Sequence, residues 1–190
     1  MHPVAAVLSL LALALALAPA GAVQPATPTK HGPATVLKFT SPAFKHDAGI
    51  PSRYTCDGPN VSPPLAWSGA PAATKSFALI VTDPDAPDPK APQTIWVHWV
   101  LYDIPASVMG LREAVAAKGL PKGALQGTTD WGTTGYSGPC PPIGRHRYVH
   151  TLFALDTVLA DLEKPTRAKL LAAMEGHVLQ MTQLIGTYRD

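Results

Sequence analysis

Apolar and polar positions along this 190-residue chain fall into three kinds of block. Residues 4–18 are almost wholly Leu, Ala and Val, with no period. From residue 35, short apolar runs alternate with stretches dense in Pro, Gly, Asp, Asn and Ser. The runs predict strands. Residues 35–39 (TVLKF) read as the first. Residues 75–82 (KSFALIVT) form a continuous run of β-formers, the pattern of a strand buried on both faces. Residues 94–102 (TIWVHWVLY) give the strongest strand; its alternation places Trp96, His98 and Val100 on one face and Ile95, Val97, Trp99 and Leu101 on the other. Residues 147–155 (RYVHTLFAL) give the last, while residues 41–64 and 119–146 read as loops. Beyond residue 165 the spacing changes. Pro165 is placed as a first helical residue. Leu171, Met174, Val178, Met181 and Ile185 then recur at helical spacing, with Gly176 dividing two helices. The order of elements predicts a β-sandwich with a helical C-terminal cap.

The first block changes the domain picture. Residues 1–22 read as an export signal cut after the small residues Ala20-Gly21-Ala22, although His2 stands where Lys or Arg is usual. The apolar run is about 15 residues, short of the ~20 that a spanning helix needs. No stable membrane insertion is therefore expected after processing. Residues 23–34 read as a disordered lead-in, and residues 35–190 as one domain. Periplasmic or secreted localisation follows, in a compartment where disulfides persist. Cys56 and Cys140 allow one pairing, with two separate thiols as the alternative.

Composition narrows the function classes. Charged residues make up 15% of the chain and the formal net charge is only +2, with no basic stripe, so nucleic acid is not an expected partner. The 21 prolines favour loops and short strands over helices.

Three segments concentrate polar chemistry beside strands: residues 83–87 (DPDAP), His98 within its aromatic strand, and residues 138–148 (GPCPPIGRHRY). Imidazoles donate hydrogen bonds, glycine lets backbone amides approach a ligand, and prolines stiffen a wall. Together these segments resemble the phosphatidylethanolamine-binding protein family, and residues 54–67 (YTCDGPNVSPPLAW) resemble its bacterial, Raf kinase inhibitor-like branch. The similarity covers roughly residues 36–188. It implies a mainly β fold of two antiparallel sheets with Greek-key topology and C-terminal helices. It also implies a small pocket for phosphate-like anions formed by Asp83, Pro87, Trp96, His98, Gly138, His146 and Tyr148. Cys56 and Cys140 fall in the loops around that pocket, so a bond between them is expected. One departure is the short link of Ile143, Gly144 and Arg145 between the proline pair and His146.

Asp83, His98 and His146 are expected to converge, with Asp83 raising the pKa of a neighbouring histidine and backbone donors near Gly138. Asp85 reads as a turn former that caps loop amides, Arg147 as an ion-pair residue beneath the pocket, and His150 as structural. His31, His46 and His177 read as surface residues. These features predict a module that binds a small phosphorylated or carboxylated ligand, a lipid headgroup among the candidates, or that modulates another protein, whose identity the sequence does not give. The alternative is a hydrolase or lyase using Asp83, His98 and His146. No nucleophile elbow, P-loop or zinc signature is present, so neither cofactor nor metal is expected.

Overall fold

The computed structural model describes residues 36–189. The signal segment and lead-in expected over residues 1–34 lie outside them, as does His31. The elements in chain order are β1 (Lys38–Thr40), β2 (Ala48–Gly49), a 3-10 turn (Ser52–Tyr54), β3 (Leu65–Ser68), β4 (Ser76–Asp83), β5 (Trp96–Pro105), β6 (Gly110–Leu111), α1 (Val115–Lys118), β7 (Leu125–Gln126), β8 (Arg145–Leu155), α2 (Arg167–Met174) and β9 (Val178–Arg189). They form a six-stranded sheet ordered β2-β9-β8-β4-β5-β7 and a three-stranded sheet ordered β1-β3-β6. The fold is mainly β, as expected, but it is not a sandwich of matched layers. A long central sheet carries three short strands and loops on one face and α2 on the other. The pairings are antiparallel except that of β2 with β9, which is parallel.

Residue pattern explains the layering. In β4 every side chain but Thr82 is buried. Phe77, Leu79 and Val81 join the main core with Trp67, Trp99, Leu101 and Leu152, while Ala78 and Ile80 join a second core with Val100, Phe153, Leu170 and Met174. Fully burying one such Leu is worth about 2 kcal/mol.

The C-terminus departs from expectation. Only one helix forms there, and Val178, Met181 and Ile185 lie on a twelve-residue strand instead. Thr166 caps α2 by accepting from the Lys169 amide at 3.3 Å, so Pro165 precedes the cap rather than opening the helix. Gly176, at φ 78°, ends it in the left-handed conformation that favours glycine. Beyond it, Val178, Thr182, Ile185, Thr187 and Tyr188 suit a strand, and β8 offers an edge along its whole length. Register from Arg145↔Arg189 to Leu155↔Val178 is the tertiary pairing that overrides the helical spacing.

β5 holds the other departure. Thr82 pairs with Val97 and Val81 with Trp99, so His98 is an extra residue in the ladder. This bulge puts His98 and Trp99 on the same face and reverses the phase beyond them. Val100 therefore packs with Val97 in the second core, not beside His98.

Candidate ligand-binding site

The site forms where three adjacent strands share an end. Asp83 closes β4 and lies opposite Trp96, which opens β5. His146 and Tyr148 come from the start of β8. Of the expected pocket residues, Asp83, Pro87, Trp96, His98 and Tyr148 line a cavity of about 300 Å³. Ala86, Trp131, Cys140 and Pro142 complete it.

His98 is aimed by the bulge and held by a loop. Its Nδ1 lies 2.7 Å from the Ser137 carbonyl, which can only accept, so Nδ1 carries a proton. The Ser137 amide returns a bond to the His98 carbonyl at 3.0 Å. Burial pushes the His98 pKa below its ordinary value, against the smaller opposing pulls of the Ser137 carbonyl and the Asp83 charge. The ring is then neutral near pH 7, and Nε2 is a lone-pair acceptor with no hydrogen-bond partner among the described residues. Aromatic rings enclose it: Trp131 lies edge-on to Trp96 at 5.3 Å and to His98 at 4.9 Å, and Tyr148 stands 5.1 Å from His98.

The carboxylate serves the other histidine. Asp83 Oδ2 lies 2.7 Å from His146 Nδ1, and His146 Nε2 lies 3.0 Å from the Ile143 carbonyl. Both bonds need a proton, so the pair is either imidazolium–carboxylate or imidazole–carboxylic acid, with zero net charge in both forms. Asp83 Oδ1 accepts the Asp85 amide at 2.8 Å. The expected convergence of three acid–base groups is therefore corrected. His146 is fully buried behind Asp83 and does not line the cavity. The short link of Ile143, Gly144 and Arg145 brings a carbonyl back onto its ring.

Gly138 is also corrected. Its amide donates to Asn60 Oδ1 at 2.8 Å and is not free for a ligand. A Cβ at Gly138 would fall 2.2 Å from the Tyr54 carbonyl oxygen, so glycine is required by packing. The turn-capping role expected of Asp85 falls to Asp83, which pairs with His146 as well. Asp85 accepts three bonds from Arg147, at 2.8 Å from its amide, 2.9 Å from Nε and 2.7 Å from Nη2. The Arg147 hydrogen bonds hold the Asp85 carboxyl below the usual range. Arg147 is the ion-pair residue expected.

Two donors on the lining are buried without a hydrogen-bond partner: Tyr148 Oη and Trp96 Nε1. Burial, then the nearby Asp83 charge, pushes the Tyr148 pKa up, so the phenol keeps its proton. The Cys140 amide pulls the other way without meeting hydrogen-bond geometry. Cys56 and Cys140 form a disulfide with Cα atoms 5.4 Å apart, and the Cys56 amide bonds to the Pro139 carbonyl at 3.0 Å.

Sequence reasoning missed Trp131 and its support, Asp130, whose Oδ2 accepts the Val97 amide at 2.8 Å. The available signal was a lone tryptophan in the polar stretch 127–135 (GTTDWGTTG).

The sequence profile of the phosphatidylethanolamine-binding protein family matches residues 40–189, which take in the whole site. The chain belongs to that family. A UPF0098 protein of Methanothermobacter thermautotrophicus is 55% identical over 155 residues, spanning 80% of this chain and 99% of the relative. Among solved structures, a phosphatidylethanolamine-binding protein homologue of Chlamydia trachomatis is 40% identical, with TM-score 0.75 over 82% of this chain and 99% of its own. Escherichia coli YbcL, described as a new member of the mammalian family, is 32% identical, with TM-score 0.74 over 81% and 98%. This phosphatidylethanolamine-binding family member also has a larger hollow of about 530 Å³ beside Tyr102 and Asp161. There the Tyr102 hydroxyl already donates to Asp161 at 3.1 Å, leaving less unsatisfied chemistry than the smaller cavity holds.

Proposed function

We propose that this protein is an exported binding module for a small phosphate-bearing ligand, held in the cavity between Asp83, His98 and Tyr148. The observation that carries the reading is the pairing of aromatic walls with buried polar groups that lack partners. Tyr148 Oη and Trp96 Nε1 are buried donors without acceptors, and His98, whose Nδ1 bonds to the Ser137 carbonyl, keeps Nε2 for a ligand. Burying the two donors unsatisfied costs about 1–3 kcal/mol each, which a hydrogen-bonding ligand would relieve. Prolines and the disulfide stiffen the wall and lower the ordering cost of binding.

His146, an arm of the alternative acid–base reading, is closed on Asp83 and Ile143, so the geometry favours binding over turnover. Titration calorimetry with phosphorylethanolamine tests the site. His98→Ala should weaken binding at least tenfold, and equal binding by wild type and variant overturns it. The export part of the reading rests on residues 1–22. N-terminal sequencing of the exported fraction should find a start near Val23; an intact Met1 end held in membranes sinks that part.

A further inference from the structure

We propose that the cavity selects oxyanions that still carry a proton, phosphomonoesters and inorganic phosphate, over phosphodiesters and sulfate, with Asp83 and His98 as the discriminating acceptors. The inference rests on the reading above, that a phosphate group occupies this cavity, and it adds which kind.

Among the described residues that line the cavity there is no Lys or Arg. Charge attraction is therefore not what holds an oxyanion here; hydrogen bonds are. The guanidinium of Arg147, which lies between His146 and Tyr148 on β8, is taken up by Asp85. His98 donates its Nδ1–H to the Ser137 carbonyl and offers a lone pair at Nε2. Asp83 is only 4% exposed and lines the cavity, and the proton of its pair with His146 lies in their mutual bond. In both protonation forms of that pair, Asp83 offers the cavity lone pairs only. The unpartnered donors are Tyr148 Oη and Trp96 Nε1. The side chains of the lining thus carry two donors and two acceptors.

A phosphomonoester monoanion matches this set. Its P–OH donates to Asp83 or His98 while its other oxygens accept from Tyr148 and Trp96. With a second pKa near 6, a monoester at pH 6 is about half in that form. Dialkyl phosphates and sulfate have no proton to give, so their oxygens would meet the lone pairs of Asp83 and His98 unpaired. A site built around such a hydrogen bond discriminates strongly against an analogue that lacks it.

The test is titration calorimetry at pH 6 on the purified protein as the cell delivers it. Inorganic phosphate, methyl phosphate and phosphorylethanolamine are compared with sulfate, dimethyl phosphate and glycerophosphoethanolamine. The first three should bind at least tenfold more tightly than the last three. Asp83→Asn, which places an N–H where a lone pair was, should narrow the gap to about threefold. Tyr148→Phe should weaken all six and leave the gap. If Asp83→Asn does not fold, the wild-type comparison decides alone. Equal wild-type affinity for methyl and dimethyl phosphate, or for phosphate and sulfate, overturns the proposal and leaves the binding reading standing. Equal affinity for phosphorylethanolamine and glycerophosphoethanolamine also overturns it, because the ammonium would then be the donor and an intact lipid headgroup the source. Absence of binding by all six to a protein folded by circular dichroism overturns the binding reading itself.

Discussion

Two histidines four residues apart on one face of β8 sit in opposite surroundings. His146, at the pocket end, has an acceptor on each ring nitrogen, at 2.7 and 3.0 Å. His150, deeper in the sheet, packs its ring 5.6 Å from that of Phe44 and lies opposite Val81. Its Nδ1 is 3.2 Å from the Tyr148 carbonyl, but Nε2 is buried without a partner. Burial pushes its pKa down to about 4. The difference comes from β4, which presents a carboxylate at its end and only apolar side chains in its middle. Polar groups at the pocket end are matched with each other or belong to side chains that line the cavity. The interior end tolerates one unmatched atom because surrounding packing holds it.

The largest effect expected concerns the pocket end. The disulfide joins residues separated by 84 positions. Its loss in Cys56→Ser/Cys140→Ser should cost roughly 4–5 kcal/mol on the chain-entropy account, measured by denaturant unfolding. Amide exchange should rise first around residues 54–60 and 137–142 while β8 near His150 stays protected. A uniform rise would erase the contrast between the two regions.

Next is the buried pair. Asp83→Ala leaves His146 without its carboxylate and should destabilise by roughly 3–5 kcal/mol at pH 7. His150→Leu, which removes one atom without a partner and one long bond to the Tyr148 carbonyl, should cost less, about 1 kcal/mol, at that pH. Comparable losses from both would show that the carboxylate partner is not what separates them.

The smallest effect is the acid dependence of His150. Its folded pKa lies below the unfolded value near 6.5, so the unfolded chain takes up the proton first as pH falls. Stability is complete above pH 6.5 and should decline by about 3 kcal/mol toward pH 4. His98, whose pKa is also lowered by burial, acts in the same direction. His150→Leu should flatten the decline. A wild-type stability that is flat over this range sinks the prediction.

Legibility of the sequence tracked how local the deciding physics was. β4 could be read because its run of β-formers is buried on both faces, and the composition alone carries that. The bulge at His98 could not, since it arises from the register with β4, and the regular alternation assigned Val100 to the wrong face. The C-terminal strand was hidden for a related reason: Val178, Met181 and Ile185 fit a helix by spacing, and only the open edge of β8 makes them a strand. At the site, Asp83, Pro87, Trp96, His98 and Tyr148 were legible through their motifs. His146 carried the same motif signal, but its role depends on which nitrogen meets which oxygen. Trp131 had no motif around it, and its contact with His98 is made by a loop folding back onto β5.

That loop has a further consequence. β4 runs along one side of β5, and β7 joins the other only at Leu101 and Tyr102. Beside Val97 and His98, among the described residues, the backbone instead bonds to Asp130 and Ser137 of the loop, through the Val97 amide and both carbonyls. Bare, the run Trp96-Val97-His98-Trp99-Val100 would be an apolar edge open to pairing with another chain. The wall of the cavity is thus also the cover that keeps this edge from seeding aggregation. Displacing the loop would uncover the edge, so the residues that wall the cavity also guard the sheet.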